Sequence, residues 1–172
     1  MINLKPFLGD IAEQYQLDPS LTHGLSHWGR VLENGLKLAE VEGGDKTVIS
    51  LFAIYHDACR HNQTLDPGHG ARAARLAKKL LSGHPLISSY QLRLLIKACR
   101  YHTNGRTQAD TSVQICWDSD RLDLARVGIM PQPSKLCTRT AKDPSFINWA
   151  NDRALTEFSP SFVDQEWASY FK

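Results

Sequence analysis

The sequence predicts an all-α fold, and three observations carry that prediction. At least six segments repeat apolar residues at steps of three and four, the spacing that lines one face of a helix. No stretch sustains the alternation of a half-buried strand. The residues with the most chemistry fall in separate helical segments, so a bundle with a polar centre in its core is the arrangement that would bring them together.

Leu4, Phe7, Leu8, Ile11 and Tyr15 predict a first helix over residues 4–17, which Asp18-Pro19-Ser20 ends as a turn. Thr22 or Ser26 can cap a second helix whose apolar face is Val31, Leu32, Leu36, Leu38 and Ala39 and which stops at Glu42-Gly43-Gly44. His27 stands one turn before Val31. His23, four residues earlier, either backs His27 or lies at the surface.

Asp45 can cap the third helix, where Val48, Ile49, Leu51, Phe52, Ile54 and Tyr55 are apolar almost all round and mark a central position. That helix ends in His56-Asp57. An imidazole beside a carboxylate at the buried end of an apolar helix is costly unless both are compensated, and a metal ion would compensate both. Adjacent helical residues diverge by about 100 degrees, so the two converge on one ion only from a helix edge, and other segments must complete the shell.

A polar loop from Arg60 to Gly68 follows. Arg60, three residues past Asp57, either faces the same cavity, where a guanidinium grips phosphate oxygens in pairs, or forms an ion pair with Asp66 or Asp45. His61 reads as solvated. His69-Gly70 opens a helix carrying Ala73, Ala74, Leu76, Ala77, Leu80 and Leu81, and puts His69 where backbone amides favour anions. Gly83-His84-Pro85 is a turn with an exposed histidine. The next helix runs through Leu92, Leu95, Ile96 and Cys99 to His102, which extends the apolar stripe as a hydrogen-bonded core residue or a ligand.

Val113, Ile115, Cys116, Leu124 and Ala125 frame a segment that also holds Asp118, Asp120 and Asp123. Periodicity alone does not choose between Asp118 and Asp120 as the inward acid. Residues 127–138 form a proline-broken connection that closes one side of the pocket, with Lys135, Arg139 and Lys142 in reach of a polyanion. Phe146, Trp149, Phe158, Phe162, Trp167, Tyr170 and Phe171 predict terminal helices that pack on the core or form a homodimer contact.

With 172 residues the chain suits one domain, 1–172, with a core over roughly 21–127 and an aromatic-rich helical extension over 133–172. Its 42% hydrophobic and 22% charged residues are ordinary for a soluble protein, and a net charge of +2 gives no nucleic-acid signal. No run approaches the roughly 20 apolar residues of a membrane helix, and Met1 to Pro6 lacks the body of a signal peptide, so a cytoplasmic location is expected. Cys59, Cys99, Cys116 and Cys137 are widely spread and read as reduced thiols.

The order of His27 in His27-Trp28-Gly29-Arg30-Val31, then His56-Asp57, then Asp120 in Ser119-Asp120-Arg121-Leu122 resembles the HD-domain superfamily of metal-dependent phosphohydrolases. The resemblance implies an all-α, HD-domain-like bundle with the metal site in its core, with His27, His56, Asp57 and Asp120 as ligands and Asp120 preferred over Asp118. It implies a divalent ion, with none of Mn, Fe, Co, Ni, Zn or Mg singled out, acting through activated water on a phosphomonoester or phosphoanhydride, most often of a nucleotide. Arg60, His69 and His102 would balance charge in the reaction, Arg60 and His69 also gripping phosphate.

One ion is the favoured count. The segments Asp66 to Gly70 and Tyr101 to Gly105 are similar to those of two-metal members, in which His69 and His102 would hold a second ion with Asp57 bridging. Tyr101 stands where related cyclic-dinucleotide phosphodiesterases carry a histidine, and their Gly-Tyr-Pro motif is absent, which counts against that substrate. A di-iron oxygenase and a non-catalytic metal- or nucleotide-binding module are the competing readings.

Overall fold

The computed structural model describes residues 2–171, and among these it is built of seven α-helices, short 3-10 and π turns, and no strand. The helices are α1 (Lys5–Ala12), α2 (Leu25–Glu42), α3 (Lys46–Tyr55), α4 (His69–Leu81), α5 (Ser89–Tyr101), α6 (Thr111–Arg121) and α7 (Pro144–Leu155). The all-α expectation holds.

α3 is the axis of the bundle. Val48 to Tyr55 are buried without exception, and α2, α4, α5 and α6 all pack on it. A helix apolar on every face needs neighbours on every face. Asp45 caps it as expected, accepting from the Thr47 and Val48 amides, while its other oxygen accepts from Gln91 Nε2 at 2.8 Å. Because Gln91 also closes the capping box of α5 with Ser88, one carboxylate fixes the starts of two helices against each other. Asp110 and Asp143 cap α6 and α7 in the same way.

Two boundaries differ from the sequence expectation. α1 stops at Ala12, where Gln14 N–H donates to Ile11 and Tyr15 N–H to Ala12, tightening the last turn into 3-10 geometry. Tyr15 lies beyond the helix, its ring edge-on to Trp28 and Phe171. α2 begins at Leu25 behind Gly24 with no side-chain cap, so neither Thr22 nor Ser26 serves there. Instead the chain from Pro19 to Leu25 folds back on itself, Leu25 N–H donating to the Pro19 carbonyl. His84 is half-buried rather than exposed, its ring 5.1 Å from that of Phe7.

The aromatic C-terminal segment is largely consumed by packing. Phe146 and Trp167 are buried, and a π turn over Val163–Trp167 lies on α1 and α2. Leu155, Phe158 and Tyr170 stay exposed. All four cysteines are free thiols, and burial pushes the pKa of each above its ordinary value. Among the described residues, no helix is long and apolar enough to cross a membrane.

α4 packs against α5 at Gly70 with no room for a side chain. A methyl group there would run into the Cys99 carbonyl and come within 3.0 Å of His102 Nδ1. Gly70→Ala is therefore expected to lower stability by about 1–3 kcal/mol, as overpacking of a tight core does. Urea unfolding measures this, and an unchanged midpoint would mean that the two helices can part without cost.

Candidate functional site

His56 and Asp57 follow the last residue of α3, where the helix opens into a turn. The His56 amide still donates to Phe52, so its ring keeps the helical direction, while Asp57 heads a turn closed by Arg60 N–H on its carbonyl. This break lets two adjacent side chains face one centre. α2 brings His27, the start of α4 brings His69, the end of α5 brings His102 and the end of α6 brings Asp120.

Each ring is held by its Nδ1. His56 Nδ1 lies 3.1 Å from both the Phe52 and Ala53 carbonyls, His69 Nδ1 2.7 Å from the Asp66 carbonyl, and His102 Nδ1 2.7 Å from the Cys99 carbonyl. A carbonyl oxygen only accepts, so these three rings carry hydrogen on Nδ1 and, when neutral, a lone pair on Nε2. His27 Nδ1 lies 2.7 Å from Asp123 Oδ2, and Asp123 also takes two bonds from Arg30 at 2.7 and 3.0 Å.

The Nε2 atoms meet in two pairs, His27 with His56 at 3.0 Å and His69 with His102 at 2.8 Å. Asp57 lies between the pairs. Its Oδ2 is 3.8 Å from His27 and 3.9 Å from His56, and its Oδ1 is 3.1 Å from His69 and 3.8 Å from His102. Asp120 Oδ1 adds an oxygen to the first pair at 3.6 and 3.8 Å. Three overlapping donor groups result: His27, His56 and Asp120; Asp57, His69 and His102; and His23, His27 and Asp57.

Charge states suit a cation. Burial holds the His27 pKa well below its ordinary value and lowers that of His56, which favours the neutral form of both rings. Burial opposes ionisation of Asp57 and Asp120, but the neighbouring imidazoles outweigh it: Asp57 falls well below the usual carboxylate range and Asp120 falls below it too. Burial acts downward on His102, and the nearby Asp57 and Asp120 carboxylates together with the Cys99 carbonyl outweigh it and raise its pKa. Lone pairs facing each other at such separations repel unless a proton or a metal ion lies between them. Nitrogen and oxygen donors at this density fit a first-row divalent ion, and the anchored Nδ1 atoms are the supports such ligands need.

All seven residues singled out in the sequence come together here. Arg60 Nη1 is 3.6 Å from Asp57 Oδ1 and 3.4 Å from His69 Nε2, with the guanidinium steadied by the Asn62 and Thr64 carbonyls. The ion pair expected as its alternative goes elsewhere, since Asp66 binds Arg72 at 2.6 Å and Asp45 is occupied as a cap. Asp118 is buried but turned away, accepting from the Cys137 and Thr138 amides and the Thr138 hydroxyl. Asp120 is the acid that faces the histidines. His61 is exposed.

Three residues of the site lay outside the sequence reading or were left undecided by it. His23 Nδ1 is 2.9 Å from Asp57 Oδ2, so it belongs to the site and not to the surface. Arg126 Nη2 is 3.2 Å from His23 Nδ1, while its other nitrogens donate to the Thr22 and Asp123 carbonyls. Asp123 orients His27. A signal was present: Asp120, Asp123 and Arg126 stand three apart, and the 3-10 turn over Leu124–Val127 stacks residues at that interval.

No family model matches the sequence. Over 114 residues, 59% of this chain and 59% of the relative, the sequence is 25% identical to a symmetrical bis(5'-nucleosyl)-tetraphosphatase of Staphylococcus aureus. The chain thus matches 59% of that curated relative's length. Among solved structures, a predicted HD-superfamily hydrolase from an uncultured Thermotogales bacterium superposes with a TM-score of 0.66 at 25% identity, covering 97% of this chain and 92% of the other. Helices that converge on a His/Asp cluster, in the order His, His-Asp, Asp, define an HD-type protein, and the likeness in structure agrees. In fold and in that order of residues the chain is similar to this HD-superfamily hydrolase.

Asp123→Asn tests the support of His27. Breaking a buried charge pair of this kind typically costs about 3–5 kcal/mol, and losing a ligand's support weakens metal affinity by about 10–100-fold. Chemical denaturation and metal titration of the variant should show both losses. Full affinity would show that His27 needs no such anchor.

Proposed function

We propose that the chain is a metal-dependent phosphohydrolase that uses two divalent ions sharing Asp57 and acts on a phosphomonoester or phosphoanhydride of a nucleotide or another small phosphorylated compound. The observation that supports it best is the pair of imidazole Nε2 pairs at opposite oxygens of one carboxylate. His27, His56, Asp57 and Asp120 would hold one ion, and Asp57, His69 and His102 the other. This revises the single-ion expectation and makes His69 and His102 ligands rather than free phosphate contacts. Ions bound there would supply an activated water at neutral pH and neutralise charge on the phosphoryl oxygens.

The protein groups around that centre divide the remaining work. Arg60 reaches the Asp57, His69 and His102 side and Arg126 the His23 side, so an anionic group between them meets guanidinium from both directions. Hydrolysis forms a bond from the water oxygen to phosphorus and breaks the bond to the leaving oxygen, and cations on both sides stabilise the charge that develops. The likeness to a bis(5'-nucleosyl)-tetraphosphatase of Staphylococcus aureus supports a phosphoanhydride as one such substrate. The two flanking guanidiniums favour a phosphate over the neutral dioxygen of an oxygenase.

Elemental analysis of the purified protein should find about two ions per chain, falling to about one in His69→Ala and in His102→Ala. His56→Ala and Asp57→Ala should lose metal and hydrolysis together while keeping helical circular dichroism. Hydrolysis at the wild-type rate in Asp57→Ala would refute the centre, and a metal count untouched by both His69→Ala and His102→Ala would refute the second ion.

A further inference from the structure

Beside the centre lies a cavity of about 500 Å3 that shares His102 and Asp120 with it. Its other walls are mostly apolar, supplied by Leu124, Ile129, Met130, Pro131 and Leu136, and Thr103, Arg121, Gln132 and Lys135 complete the lining. We propose that this cavity seats the organic part of the phosphate substrate and prefers a group that presents an uncharged, apolar, ring-sized face. The proposal rests on the phosphohydrolase reading, because that reading puts the phosphate next to Asp120.

Three features support that occupant. The volume falls within the roughly 300–1,000 Å3 of small-molecule pockets, which are mainly apolar with a few polar contacts. Ile129 and Met130 are 56% and 55% exposed, adjacent large apolar side chains that gain from being covered. The wall is also preset. Pro131 and Pro133 each fix a backbone angle, Arg121 Nη1 donates to the Lys135 carbonyl at 2.8 Å, and Asp118 clamps the Cys137 and Thr138 amides from behind. An apolar ring or chain would cover these carbon walls at little dehydration cost.

Phosphonates test this without turnover, since their carbon–phosphorus bond is not hydrolysed. Benzylphosphonate and methylphosphonate share the anionic head and differ in the organic group. Calorimetric titration of the manganese-loaded protein should give benzylphosphonate an advantage of at least about tenfold, the effect of partly burying one aromatic ring. Ile129→Asp and Met130→Asp, both at exposed positions and so compatible with folding, should each reduce that ratio below about threefold while thermal unfolding stays as in the wild type. A wild-type ratio near one, no binding of either compound, or a ratio that both variants leave intact would overturn the proposal. The parent reading fails differently: a persistent benzylphosphonate preference with no hydrolysis of any phosphate ester would keep the cavity and remove the reaction class.

Discussion

Asp57 presents its two oxygens to two different pairs of imidazoles, and the fold is arranged to make that possible. A carboxylate buried to this depth survives only with compensating charge around it. The four rings cannot turn aside to relieve the contact between their Nε2 atoms, because each Nδ1 is tied to a backbone carbonyl or to Asp123. Three of those tethers are local, reaching back three or four residues along the same chain segment. Secondary structure therefore dictates ring orientation, and tertiary packing has only to bring the segment ends together.

That division explains which parts of the bundle tolerate no freedom. α3 is clamped at its start by Asp45 and buried along its length, so its end delivers His56 and Asp57 to a fixed place. The approach of α4 to α5 at Gly70 sets the separation of His69 and His102, and a side chain there would move both the Cys99 carbonyl and the ring it anchors. α6 contributes through its last turn, after which the 3-10 turn brings Asp123 beneath His27.

How much of this could be read from the sequence follows from the same distinction. The helices and the central place of α3 were legible because periodicity encodes them, and the His27, His56-Asp57 and Asp120 set was legible through the resemblance that their order along the chain carries. Arg126 was not, because a position six residues past Asp120 lies about 120 degrees round an α-helix and only the switch to three residues per turn aligns it with Asp120, while the role of Asp123 depended on the approach of His27 and Arg30 from α2. Choosing Asp120 over Asp118 depended on the Cys137 and Thr138 amides, far along the chain, which claim Asp118. The place of His23 depended on the fold-back from Pro19 to Leu25 that replaces an ordinary helix cap.

Electrostatic balance connects the centre to the kind of molecule it can serve. Asp57 and Asp120 are the ionised acids that face the donor groups, since Asp123 is matched by Arg30 and Asp118 points elsewhere. Two divalent cations would carry more charge than these two carboxylates cancel, and Arg60 and Arg126 add to the excess. A centre left positive in a water-poor site gains most from a substrate that brings several negative oxygens at once, as a phosphate does and dioxygen does not. The adjoining cavity is walled mainly by carbon, so an organic group would pack on Leu124, Ile129, Met130, Pro131 and Leu136 while the phosphate stays with the cations on the other side of Asp120.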